Sequence, residues 1–311
     1  MKIQILMSAY NGSPYIQTQL DSIAHQDVEV KSLLIRDDGS SDGTLSILQE
    51  YQKKHGSWVS CFSGNNIGVQ RSFLELLLRA DPDADYVALA DQDDEWLPDK
   101  LSSAISCLRS LAHASSVPLL YCSDKIIVDE NLRPLKVTVS RLIRRPSFGN
   151  ALVQCICTGC TAVANRALVE LIKKYPPRKP EDMIMHDWWL YLTASCFGRV
   201  YYDPHAHIRY RQHGKNTSGA MLNRRALMCY RIRELKKPRG EIYRQARLFK
   251  ETYRELLKSG SFQEELGLID RLLSSEQRLR GKLKVVCDPR YYRQKRSDDM
   301  VFRGITLIGK L

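Results

Sequence analysis

Apolar runs alternate with helix-period segments through the first ninety residues. KIQILMSA (2–9) is almost continuously apolar and stops at Tyr10-Asn11-Gly12-Ser13-Pro14. Ser13 and Pro14 read as the helix N-cap and first helical residue of YIQTQLDSIAHQ. SLLIR (32–36) is a second short strand, closed by DDGSSDG (37–43), and TLSILQEYQKKHG follows with Leu45, Leu48 and Tyr51 on one helical face. VSCF (59–62) and DYVALA (85–90) are strands three and four; Asn65-Asn66-Ile67-Gly68 and the helix RSFLELLLRA lie between them. Strands separated by amphipathic helices form right-handed crossovers, hence an α/β fold with a mostly parallel central sheet flanked by helices. Ligands of such sheets bind beyond the carboxyl ends of the strands. The polar clusters 8–12, 36–42, 65–68 and 91–95 all fall on that edge.

The pattern is less regular further on. LLYCSDKIIVDEN (119–131) predicts two short strands or a hairpin, and RLIRRPSFGN (141–150) a loop. CICTGCTAVANRALVELIKKY (155–175) predicts a strand, a kink at Gly159 and a helix. MHDWWLYLTASCFG predicts a helix starting near His186 and Asp187, whereas VYYDPHAHIRYRQHGKN (200–216) is strand-like, with His205 and His207 on one face in a structural role. From residue 221 onward, heptad-like apolar spacing predicts two or three helices.

Composition places a boundary on this pattern. With 43% apolar and 26% charged residues, 311 residues supply ample core. No apolar stretch is long enough to span a bilayer, and the opening strand leaves no room for a leader, so the expected location is cytoplasmic. Nine scattered cysteines form no disulfide framework, and Cys157-x-x-Cys160 lacks the second half of a zinc site. The net charge of +12 lies wholly in the tail: residues 221–311 hold 23 Lys and Arg against 11 Asp and Glu. The chain therefore divides into 1–219 and a basic helical region, 220–311, suited to an anionic partner.

The acids of ALADQDDEW are the sharpest chemical feature. Asp91, Asp93, Asp94 and Glu95 crowd the end of the fourth strand, at an edge that also gathers Asp37, Asp38 and Asp42. Such a crevice suits a hard divalent cation bridging carboxylates and a diphosphate. On this stretch alone, a solvated turn capping the helix near Pro98 is equally good. No GxGxxG follows the first strand, and there is no GxxxxGK[ST] or GxSxG, so dinucleotide, P-loop and nucleophile-elbow chemistries lose support.

Taken together, ILMSAYNG, LIRDDGSSDGT, NNIGVQRSF and ALADQDDEW resemble family 2 of the GT-A glycosyltransferases, inverting enzymes with a Rossmann-like sheet that use nucleotide-diphosphate sugars. TGCTAVANRAL, HDWWLYL and YRQHGKNTSG are similar to its bacterial polysaccharide branch, including rhamnosyltransferases. The resemblance spans residues 2–219. It implies a base and ribose pocket at Ala9, Tyr10 and Asp38, diphosphate contacts from Asp91 and Arg71, and Mn²⁺ or Mg²⁺ on Asp93 and His213. It also implies Asp187 as general base, with Asp94 assisting the metal site and Trp96, Gly159, Cys160 and Trp188 shaping the sugar and acceptor side. The implied donor is a dTDP- or UDP-sugar, with L-rhamnose favoured and hexoses open. QxxRW and membrane-spanning helices, features of processive members, are missing, so one sugar is added per encounter.

The basic tail interleaves Arg and Lys with Tyr, Leu and Phe, which suits the anionic inner face of the plasma membrane and a lipid-linked glycan acceptor. A solvated helical face, or a dimer contact, explains the same pattern. The rival class is a non-catalytic protein binding nucleic acid or another anionic surface; an acidic crevice would repel a polyanion.

Overall fold

The computed structural model describes residues 1–111, 116–136, 142, 144–214 and 240–311. Its strands are β1 (Ile3–Ala9), β2 (Ser32–Asp37), β3 (Val59–Ser63), β4 (Tyr86–Asp91), β5 (Glu95–Trp96), β6 (Leu119–Val128), β7 (Val163–Asn165) and β8 (Arg199–Arg211). They form one sheet in the order β3-β2-β1-β4-β7-β6-β8-β5. The pairs joining β3, β2, β1 and β4 are parallel, as is β6 with β8; β7 and β5 pair antiparallel. β1 lies inside the parallel half, and all seven of its residues are buried. Its side chains alternate: Leu6 joins one apolar cluster, while Ile3, Ile5, Met7 and Ala9 join the other.

Helices α1 (Ile16–Ala24), α2 (Thr44–His55), α3 (Val69–Leu78) and α4 (Lys100–Leu111) follow the early strands. α1, α2 and α4 cover one face through residues such as Leu20, Leu48 and Leu101. α3 covers the other through Phe73, Leu76 and Leu77, joined by α6 (Arg166–Lys174) and α7 (His186–Phe197); the short α5 (Phe148–Ala151) precedes them. Asn165 caps α6, its side-chain oxygen accepting from the Leu168 N–H at 3.1 Å.

Five local expectations change. Residues 148–150, expected within a loop, begin α5, whose N-cap Ser147 accepts from the Asn150 amide. α1 begins at Ile16, because residues 13–15 form a turn whose Tyr15 and Ile16 amides donate to the Gly12 carbonyl. Residues 119–128 form one strand, since β8 offers them a long parallel ladder; the polar Asp124-Lys125 pair is a register irregularity within it, not a hairpin turn. Residues 155–158 form no strand, and a single 3₁₀ turn at Gly159–Thr161 leads into β7. The C-terminal region has more and shorter helices than expected: α8 (Glu241–Thr252), α9 (Arg254–Lys258), α10 (Gln263–Ser274), α11 (Leu279–Cys287) and α12 (Arg296–Leu307). The segment RRALMCYRIRELKKPR (224–239) lies outside the described residues.

An aromatic cluster ties α8 to α7. Phe249 packs 5.5 Å from Trp189, edge to face, and Tyr253 lies 4.9 Å from Phe197, between ring centroids. Trp189, Phe249 and Tyr253 are all buried. Phe249→Ala is expected to destabilise the fold by about 3–5 kcal/mol, measurable by denaturant unfolding.

Candidate active site

Three parallel strands deliver their carboxyl ends side by side. Ser8 of β1 is in register with Arg36 of β2 and with Asp91 of β4. Beyond these ends lies a cleft of ≈ 490 Å³, walled by Tyr10, Asp38, Asp91, Asp93, Gly159 and Asp187 among others. A wider hollow of ≈ 800 Å³ between α6 and the C-terminal helices is lined by Leu171, Lys174, Phe197 and Phe262, without an acid cluster.

Asp38 anchors one flank of the cleft. It is buried against Arg36, and its two oxygens accept from the Ile67 and Gly68 amides, each at 2.9 Å. Arg36 also bonds Glu75 of α3 at 2.8 Å, so one ion network fixes β2, the 65–68 turn and α3. Tyr10 projects at the rim, 46% exposed, and Ala9 is buried behind it. Asn11 adopts positive φ, and a Cβ on Gly12 would lie 2.4 Å from Gln92 Cγ; the small residue lets the β1 loop meet the acidic loop.

Partners for the acids come from β8 and its extension, at alternate positions. Arg209 bonds Glu95 at 2.7 Å, and the Arg211 amide donates to Asp94 Oδ1 at 3.0 Å. The Arg211 guanidinium holds the Asp93 carbonyl at 2.6 Å, and His213 Nε2 meets Asp93 Oδ2 at 2.8 Å. Tyr15 stacks on the His213 ring at 4.8 Å. Crowding still shows in the protonation: burial, then Asp94 and Asp93, raise Asp91, while burial and Asp93 push Asp94 up to about 7.

Asp187 lines the same cleft from the first turn of α7. Its Oδ2 accepts from the Gly159 amide at 3.0 Å and its Oδ1 from Trp188 N at 2.7 Å. Burial lifts its carboxyl to about 6 against these bonds and against Lys125, which lower it. A Cβ on Gly159 would lie 2.6 Å from His186 Nε2, so glycine permits that approach. His186 itself stacks on Phe73 at 4.1 Å, and burial lowers it to about 3; it is neutral and does not hold Asp187.

Lys125 was not among the residues singled out from sequence. It sits at the β6 irregularity, its Nζ 2.8 Å from Thr158 Oγ1 and over the Tyr210 ring at 4.3 Å. Its charge acts on Asp91, Asp94 and Asp187 together. The only sequence signal was a polar pair interrupting an apolar run. Lys100 is a second missed cation, buried beneath the loop with Nζ 3.6 Å from the Trp96 ring and lowered by burial to about 7. The positive charge expected from a metal alone is thus supplied partly by the chain.

Several predicted residues stand outside the cleft wall. Arg71 is exposed on α3, 3.9 Å from Glu181. Trp96 is buried under Lys100, Cys160 is buried beside Asp94, and Trp188 is half-buried with its indole N–H on the Ala151 carbonyl at 2.6 Å. Asp94 is buried beneath the wall; His213 reaches the cleft through Asp93. The KNTSG part of YRQHGKNTSG lies outside the described residues.

The Asp93 carboxylate suits a hard ion such as Mn²⁺ or Mg²⁺, whereas the His213 imidazole beside it, at 2.8 Å, is a borderline donor that Mn²⁺ accepts more readily than Mg²⁺. Asp91, Asp94 and Cys160 also bring donor atoms within 4.8 Å of one another, but a buried thiol held protonated is a poor ligand for a hard ion.

The mixed sheet flanked by helices, with a carboxylate cleft at its parallel strand ends, has the GT-A fold. Residues 4–171 match the description "Glycosyl transferase family 2". The chain belongs to that family, which decides for the enzyme over a non-catalytic binding protein. It is 31% identical over 231 residues to dTDP-rhamnosyl transferase RfbG of Shigella flexneri, covering 71% of this chain and 76% of that protein. The putative teichuronic acid biosynthesis glycosyltransferase TuaG of Bacillus subtilis is 27% identical, covering 63% and 73%. Among solved structures, S. aureus TarS 1–349 in complex with UDP-GlcNAc superposes with a TM-score of 0.58 at 16% identity, covering 99% of this chain and 91% of that one. Mannosyltransferase PcManGT from Pyrobaculum calidifontis, in complex with GDP-Man and Mn²⁺, gives 0.52 at 16% identity, covering 99% and 85%.

Removing the charge of Lys125 tests its influence directly. In Lys125→Met, the Asp187 carboxyl is expected to titrate above about 6. Carbon NMR of ¹³C-aspartate-labelled protein, with Asp187→Asn to assign the signal, measures the shift.

Proposed function

We propose that the protein transfers one sugar, with inversion, from a nucleotide-diphosphate donor to a hydroxyl of a growing bacterial surface glycan. The observation that carries this reading is the meeting of Asp91, the Asp93–His213 pair and Asp187 in one cleft. The relationship to RfbG favours a dTDP-sugar and L-rhamnose, with a UDP-hexose as the other donor class.

Tyr10 and the Asp38 network would bound the base and ribose, and Asp91 would face the ribose and diphosphate. Asp93 and His213 would hold Mn²⁺ or Mg²⁺, which when bound supplies positive charge against the leaving diphosphate. Asp187 would orient the acceptor hydroxyl and take its proton as it attacks the anomeric carbon. The Gly159 and Trp188 amides fix that carboxylate, leaving its remaining lone pairs for the acceptor. A sugar hydroxyl is a poor nucleophile at neutral pH, so a base across from the leaving group gives the step its direction.

Residues 1–219 would form the catalytic unit. Residues 220–311, with their excess of Lys and Arg, would bring it to the anionic inner leaflet where a lipid-linked acceptor resides. Among the described residues, no helix is long and apolar enough to cross a membrane. A peripheral cytoplasmic attachment follows from this reading.

Three measurements test it. A thermal-shift panel of nucleotide sugars with and without Mn²⁺ is expected to give one donor whose stabilisation needs metal and is weakened by Asp93→Ala and His213→Ala. At 100 times its dissociation constant a ligand adds about 2.7 kcal/mol of stability. Asp187→Asn is expected to keep that shift and lose nearly all transfer. Because a base works ionised, wild-type kcat/KM is expected to fall as pH drops through about 6. Full transfer by Asp187→Asn would remove it as the base.

A further inference from the structure

Nine large apolar side chains are exposed among the described residues, and six of them are Leu279, Leu283, Met300, Val301, Leu307 and Ile308. All six belong to α11, α12 and the residue that ends α12. Their spacing is that of a helix face: Leu279, Leu283 and the exposed Cys287 recur every fourth residue on α11. Met300, Gly304, Leu307 and Ile308 do the same along α12. The two helices pack side by side, and the Lys282 ammonium reaches the end of α12, where a Cβ on Gly309 would lie 2.6 Å from it. The opposite sides of these helices are core: Val285 and Phe302 are fully buried.

The rim of this apolar face is cationic. Arg278, Arg280, Lys282 and Lys284 line α11, and Lys310 follows α12; none has an ion-pair partner among the described residues. α11 itself contains no acid. Nearby Asp288 and Asp299 are engaged with Arg271, Arg290 and Arg303.

We propose that the joined faces of α11 and α12 are a docking surface for an anionic lipid bilayer, with leucine, isoleucine, valine and methionine entering the acyl boundary and the α11 cations contacting headgroup phosphates. Apolar residues ringed by unpaired Lys and Arg are what an interfacial helix needs: insertion supplies affinity, and charge selects the leaflet. A second copy of the chain fits less well, since a two-fold contact would set this cationic rim against itself. The inference deepens the membrane part of the proposed function. It moves the contact from the tail's basic segments in general to one apolar face.

The test is flotation of the full-length protein with phosphatidylcholine vesicles and with phosphatidylcholine–phosphatidylglycerol vesicles. Wild type is expected to float with the anionic vesicles only, and to release as salt rises. Leu283→Glu with Ile308→Glu, and separately Arg280→Glu with Lys284→Glu, are each expected to weaken binding by about tenfold or more. Both variants should retain the donor-dependent melting shift, which shows them folded. Leu279→Ser, at the most exposed leucine of α11, gives a milder second check and should weaken binding in the same direction. Absence of wild-type flotation, or unchanged flotation of these variants, overturns the proposal. So does a wild-type dimer, by light scattering, that the Leu283/Ile308 variant converts to monomer. Vesicle binding without any donor-dependent shift would support this surface while defeating the proposed transfer reaction, so the two failures are distinct.

Discussion

Crowded negative charge is the constraint on which the site depends. Asp91, Asp93 and Asp94 crowd the end of β4 and the partly buried loop after it, and Asp187 lines the same cleft. Burying like charges together is unfavourable unless each finds a donor or gives up ionisation. The protein uses both routes. β8 sends Arg209, Arg211 and the following His213 to the loop at alternate positions, and Asp91 and Asp94 are shifted toward the protonated form. The loop is therefore held in place with its charge only partly cancelled.

The same economy appears at Asp38. With Arg36 it anchors the 65–68 turn and links β2 to α3. Its Oδ1 accepts from both Arg36 and the Ile67 amide, whereas Oδ2 accepts only from the Gly68 amide and keeps a lone pair, so a role toward a ligand and a role in the fold are compatible. Gly12 makes room for the Gln92 side chain and Gly159 for the His186 ring, while ion pairs fix the surrounding walls.

Beyond the cleft, the C-terminal helices share one apolar cluster with α3, α6 and α7. Phe249 and Tyr253 close around Trp189, three residues along the chain from His186. The helix whose first turn carries Asp187 is thus buttressed from behind by the basic region. This gives that region a structural part in the active site as well as an outward-facing one.

How far the sequence alone reached follows from what each signal depends on. The alternation of strands and helices through residue 91 was legible because both faces of a parallel sheet are buried, leaving long apolar runs. The acids at the strand ends were legible because βαβ topology sends every such end to one edge. Asp93, His213 and Asp187 were readable as a set only through resemblance, being far apart in sequence. The start of α1, the unbroken β6 and the number of C-terminal helices were not legible, since turns and ladders formed with distant segments override local propensity. Lys125 belongs to this class: a bulge in β6, set by its register with β8, points an ordinary surface-type residue at three carboxylates. Likewise the excess charge of the tail was countable, but its assembly with an apolar face required α11 and α12 to be packed side by side. Sequence determined which chemistry could be gathered at the sheet edge. Tertiary structure decided which charges met there, because compensation between buried ions depends on distances of a few ångströms that no linear pattern encodes.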